Sequence, residues 1–201
     1  RLKHDNALEP VLSPLLQALI GSHDPDTAST AMATLAAQAR FVQSQKRMEL
    51  PIGELPGDLF HVALVALRNC AAGDDAEPAE RAAETLRGHF DESASRIGLL
   101  SRLVTGMGAG AVAALDVEHS GLALFLTALA ISANEPRELA TISLSENQIV
   151  RLALSLRAAG LPDRQLLEQL MILAPTGLPP RGIDSISVER ASTLLSSATG
   201  S

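Results

Sequence analysis

Tryptophan and tyrosine are absent from these 201 residues, and phenylalanine occurs four times. Strands draw on aromatic and β-branched residues, so a sheet has little to be built from. No alternation of period two runs long enough to suggest one either. Cysteine is nearly absent. Cys70 stands alone, which excludes an intrachain disulfide and a cysteine-based zinc site, and fits a reducing compartment. Long apolar runs are missing too. The longest are broken by Arg, Asn or Pro before they reach bilayer length. No signal-peptide pattern opens the chain, so the default expectation is a cytoplasmic protein without a membrane span; the start at Arg1 rather than Met suits a fragment or a processed chain. Positive charge is scarce: 16 Lys and Arg face 23 Asp and Glu, a formal net charge of −7. A chain this acidic is not steered toward nucleic acid or anionic membrane.

What remains is alanine and leucine. The chain is 46% hydrophobic, and a core of Ala, Leu, Val and Ile with small faces lets helices approach closely. The expected fold class is all-α without a sheet: stacked antiparallel helix pairs, either of HEAT-like or other α-solenoid type or in a compact helical array. Residues 1–175 are expected to form one helical-repeat-like domain, with a subdivision near 91–95 left open. Residues 176–201 are expected to be a linker plus a C-terminal helix.

Arg1–Asn6 is polar and expected to fray. Ala7–Ile20 carries an apolar stripe interrupted by Pro10 and Pro14, so its regular part should start near Pro14. Asp24-Pro25 pairs an N-cap with a first-turn proline and opens a helix to about Lys46. Pro51, Gly53, Pro56 and Gly57 mark a connector. Asp58 to Ala72 is apolar almost all round, which predicts a helix buried on several sides and central to the N-terminal half. Glu77-Pro78 opens a helix to about Phe90, and another is expected over Ala94–Val104. Gly106, Gly108 and Gly110 then loosen the chain before a short helix over Ala111–Leu115. A last helix, Val188–Ser197, lies among serines and is expected to dock weakly or to exchange with a partner molecule.

Between Leu122 and Leu173 one helical unit is written twice. Leu124–Leu139 and Val150–Gln165 align Ala133 with Ala159, Asn134 with Gly160, and Pro136 with Pro162. Each copy is an apolar helix, a residue that tolerates positive φ, then X-Pro and a second helix.

Candidate chemistry is sparse. Gly106, Gly108 and Gly110 follow G-x-G-x-G rather than a dinucleotide fingerprint, and a helix rather than a strand precedes them, so a connector is expected. His4, His23, His61, His89 and His119 share no ligand spacing on one helix, although a site joining His89, Asp91, Glu92 and His119 in space remains open. Asp74, Asp75, Glu77, Glu80 and Glu84 lack a calcium-loop pattern and fit a solvated helix face. No G-x-S-x-G context surrounds any serine. Cys70, at the end of an apolar helix, is expected to be buried and inert. Arg137, Arg151, Arg157 and Arg164 cluster within the repeat; stacked in register, they would make a basic patch for an acidic or phosphorylated partner, and they are the candidate partner-binding residues.

Leu99-Leu100-Ser101-Arg102-Leu103, the alanine helix from Gly121 to Ala130 with Phe125, and Leu156-Arg157-Ala158-Ala159-Gly160-Leu161-Pro162 together resemble a bacterial domain family of unknown function, common in alphaproteobacteria. The resemblance covers the C-terminal two fifths, and its most specific part is the R-A-A-G-L-P turn. It implies an all-helical, HEAT-like domain with no established activity and no catalytic residue to carry over.

The function expected from these features is a helical interaction or regulatory module without catalytic residues, cofactor or metal. Its partner would be a protein, a second copy of the chain included. Two alternatives are kept. One is a small-molecule or lipid-binding domain with Met32, Met107, Met171 and Phe125 lining an apolar cavity. The other is a helix-turn-helix DNA reader around Gly160-Leu161-Pro162, which the net charge opposes.

Overall fold

The structure, a computed structural model, describes residues 11–71, 73–175 and 177–199. The fraying expected of Arg1–Asn6, the helix start at Ala7, and Ala72 as a helix end lie outside the described residues. In chain order the α-helices are α1 (Pro14–Ile20), α2 (Pro25–Lys46), α3 (Gly57–Cys70), α4 (Ala76–His89), α5 (Arg96–Gly106), α6 (Val117–Ala133), α7 (Arg137–Ser143), α8 (Ile149–Ala158), α9 (Asp163–Leu173) and α10 (Val188–Thr199). Short 3-10 turns join several of them, and no strand occurs among the described residues. The fold is all-α. The chain divides into two compact units: one comprises residues up to Met32 together with Leu100 onward, the other Ala33–Leu99.

In the larger unit, Ser13 accepts the Leu16 N–H at 3.2 Å and Pro14 takes the first helical position of α1. Capping and first-turn proline thus place the start of this helix where the sequence does. Helix α6 is central. From Leu124 to Ala130 every residue is buried, with Phe125, Ala128 and Leu129 fully so. Helices α1, α7 and α8 and the 3-10 helix Gly108–Leu115 all pack against it. Complete burial of Phe125 alone contributes roughly 2–3 kcal/mol. Gly121 (φ 71°, ψ 161°) breaks the helical geometry after its first turn. Asp116 caps that turn by accepting from the Glu118 and His119 N–H groups, and Gln169 Oε1, from α9, takes the orphan Val117 N–H at 3.0 Å.

Both copies of the repeat end their first helix in the same way. Asn134 (φ 52°) and Gly160 (φ 86°) take the left-handed position. The next residue reaches back to close a six-residue ring: Glu135 N–H to Ala130 O at 3.0 Å, and Leu161 N–H to Leu156 O at 3.2 Å. This is the Schellman closure. Pro136 and Pro162 then stand at the N-caps of α7 and α9. A Cβ at Gly160 would meet nothing within 4 Å, so Gly160→Ala costs only the left-handed backbone penalty, about 1 kcal/mol. Asn134→Gly, at a residue already suited to that region, stays within about 0.5 kcal/mol of the parent. Urea unfolding of the two variants checks the pair; a Gly160 variant as stable as the parent would contradict the assignment.

The smaller unit is lighter. Its buried centre is Phe60, Leu64 and Ala83, with Ile52, Leu55, Leu86 and Phe90 packed around it. Phe60 and Phe90 stack at 3.9 Å between centroids. Arg96 lies over the Phe41 ring at 4.0 Å and donates to Gln38 Oε1 at 3.0 Å. Burial pulls its guanidinium below the usual arginine value, with the Glu54 carboxylate opposing the shift.

Four expectations are corrected here. Helix α3 is not buried on several sides: only Phe60 and Leu64 are, while Leu59 and Val62 are 51% and 61% exposed. Its opposite side has no helix of this unit to cover it. Cys70 is exposed rather than buried. Helix α5 starts at Arg96, because Glu92–Ala94 forms a 3-10 turn under the Asp91 cap, and the short helix expected at Ala111–Leu115 is 3-10 over Gly108–Leu115.

Candidate functional site

Phe60 and Leu64 turn one side of α3 inward. At 100° per residue, Leu59, Val62, Ala63, Ala66 and Cys70 fall together about a third of a turn away. This stripe carries no charge, and all of it except the half-buried Ala63 is exposed. Val65 and Leu67 extend it on either side, each 38% exposed. Scattered exposed apolar residues are ordinary, but a contiguous stripe at helical spacing marks an interaction surface. Arg68, on the inward flank, is bound to Glu80 Oε1 of α4 at 2.6 Å, which keeps the charge away from the stripe. Cys70 therefore sits at the end of an uncharged strip of surface and not in a core.

The structure places the four candidate arginines in different settings. Arg137 donates to Thr127 Oγ1 and to Ala123 O, the latter at 3.2 Å, tying α7 to α6. Arg151 donates to Glu135 Oε2 at 3.0 Å, and Ser155 Oγ adds a bond to Glu135 Oε1 at 2.6 Å. The Glu135 side chain is 5% exposed, so this pair pins the turn of the first copy to α8 of the second. Arg157, also buried, pairs with Asp163 and donates to Leu161 O at 3.3 Å and Ile183 O at 3.2 Å. Arg164 stands open to solvent beside Glu168, one turn along α9. The structure thus turns three of the four toward backbone and carboxylate partners within the fold and leaves one on the surface.

The apolar cavity expected from Met32, Met107, Met171 and Phe125 is not formed. Phe125 is fully buried in α6, whereas Met32 and Met171 are 60% and 61% exposed. Among the described residues, two clefts stand open to solvent instead. One, about 330 Å³, has Leu115, Asp116, His119, Leu161, Glu168 and Gln169 in its walls. Three of its polar side chains are engaged: Asp116 and Gln169 in capping α6, and Glu168 with Arg164. The other, about 480 Å³, lies beside the start of α2 with Asp24, Thr27, Thr30 and Arg102. Bonds from the Thr27 hydroxyl and amide hold the Asp24 carboxyl below the usual range, as befits an N-cap.

Gly106, Gly108 and Gly110 form the passage from α5 into the 3-10 helix that packs on α6. His89 Nδ1 bonds Thr85 O at 2.7 Å in its own helix. Among the described residues, no three His, Cys, Asp or Glu side chains gather in a metal-holding group, and no single helix is long and apolar enough to cross a membrane. Comparison with protein-family models, curated proteins and solved structures finds no significant match. Sequence reasoning listed the residues of the α3 stripe as apolar but placed them in the core; the missed signal was that the unit offers too few apolar residues to cover a helix on every side.

Proposed function

We propose that this chain is a helical interaction module of the bacterial cytoplasm, without chemistry of its own, and that its partner is a protein helix laid along α3. One observation carries this reading: the uncharged stripe Leu59, Val62, Ala66 and Cys70, exposed on a helix whose other side builds the core of its unit. Spacings of three and four residues are those of a helix seated along a helix. The stacked pairs α6–α7 and α8–α9 support the HEAT-like organisation that the resemblance to the bacterial family implies.

A photo-crosslinking residue placed at Leu59 in living cells tests the proposal. A discrete protein adduct is expected there and not from the same probe at Glu84, on the exposed side of α4. Val62→Glu should abolish the adduct while leaving unfolding stability within about 0.5 kcal/mol, as for other surface changes. An adduct with another copy of the chain identifies the partner as itself. A probe at Leu59 that labels nothing, or labels no more selectively than the one at Glu84, overturns the proposal.

A further inference from the structure

Helix α10, the last of its unit, lies closely along α8 but inserts few side chains. Of its described side chains, just Ala191 and Leu195 are buried. Ser192, Thr193, Ser196 and Ser197 each turn a hydroxyl back onto a carbonyl of the same helix. Such back-bonding weakens a helix slightly, and twelve residues are too few to be stable as an isolated helix in water. Docking therefore holds α10 folded. Its seat is lined by small residues, Ala133 at the end of α6 and Ala158 in α8, edged by Leu154, Ala159 and Ile186. Alanines at the crossing admit only a helix that brings a small residue there and a larger one a turn later, as Ala191 and Leu195 do. Upstream, Ile183 is buried and its carbonyl is held by Arg157. The extended residue Ile186 follows, so the helix can leave its seat while the segment before it stays fastened.

We infer that α10 is an exchangeable cap, and that the other occupant of its seat is α10 of a second copy of this chain. The seat matches that helix by construction, because the same residues make the intramolecular contact. Reciprocal exchange preserves the Ala191 and Leu195 contacts in both copies and disturbs at most that of Ile186, where the path changes, a low-cost route to a symmetric dimer. The tethered helix competes with an effective concentration of roughly millimolar, so exchange grows as protein concentration approaches that range. This inference stands apart from the proposed role of α3.

The test uses full-length chains in a Cys70→Ser background. One carries Ala158→Cys in the seat, the other Ala191→Cys in the helix. Mixed at high concentration and oxidised, they should form a disulfide-linked heterodimer, with a yield that rises with concentration and exceeds either homodimer. The parent chain should show the matching dimer by light scattering, Val62→Glu should leave that dimer intact, and a chain ending at Ser185 should lose it. A parent that stays monomeric at every concentration overturns the inference, as does a heterodimer no more abundant than the homodimers. A dimer that survives removal of α10 but not Val62→Glu also overturns it and assigns self-association to α3.

Discussion

Gly98→Ala destabilises the unit formed by Ala33–Leu99, although alanine is ordinarily the better helix former. The usual gain at an exposed helical position is about 0.5–1 kcal/mol. Here a Cβ would lie 2.3 Å from Glu92 O and 2.9 Å from both Ser93 Cα and Ser93 O. These are backbone atoms of the 3-10 turn that leads into α5, so no side chain can swing aside. Overpacking of this kind costs roughly 1–3 kcal/mol, toward the upper end where backbone must move, and it outweighs the propensity gain. Gly88→Ala in α4 is the matched control: its Cβ would meet nothing within 4 Å, and it should stabilise by about 0.5 kcal/mol or more. Urea unfolding combined with amide exchange across 33–99 compares the two. Equal effects on stability would mean that α5 does not rest on the turn at Glu92–Ala94 as described.

Glu135→Ala should cost about 3–5 kcal/mol, since it removes one member of a buried ion pair and strands the other. Arg151 is 15% exposed at its side chain, and its Nε has no partner even in the parent. With the carboxylate gone, Ser155 Oγ also loses its acceptor. Glu135→Gln keeps the shape and hydrogen-bonding capacity and should lose less. Replacing both partners, as Glu135→Leu with Arg151→Met, should recover most of the loss, because two well-packed apolar side chains carry no desolvation cost. The comparison is made by urea unfolding of the four proteins. If the double variant is no more stable than Glu135→Ala, apolar packing does not replace the pair there, and Ser155 with other neighbouring groups carries much of its energy.

These two sites differ in how far the sequence announces them. Gly98 sits inside an ordinary apolar helix pattern, and nothing in its neighbourhood singles it out. Its importance comes from contact with a turn five to six residues earlier, which local pattern does not encode. Glu135 is one residue from the helix stop that the repeat makes plain, so its position at a turn was legible. Its burial, and its partners Arg151 and Ser155 on the next helix, were not. The arginines read as a basic patch show the same divide. Their sequence clustering is real, but a guanidinium beside a helix end serves equally to bond carbonyls and carboxylates, and Arg157 does both. Which use prevails depends on the groups packing brings within about 3 Å.

Helices α3 and α6 make the point most directly. Both are apolar nearly all round, and the same rule predicts burial for both. It holds for α6, which has α1, α7, α8 and a 3-10 helix packed on it. It fails for α3, where α4 contributes just Ala79 and Ala83 as buried residues and the far side is left open. By itself the sequence determined what local chemistry can determine: an all-helical chain, from its scarcity of aromatic residues and its abundance of Ala and Leu, and the repeated stops at Asn134 and Gly160, from backbone freedom and proline geometry. Tertiary structure alone decided which apolar face is covered and which lies open on α3, because burial belongs to the pair of surfaces that meet and not to either helix alone.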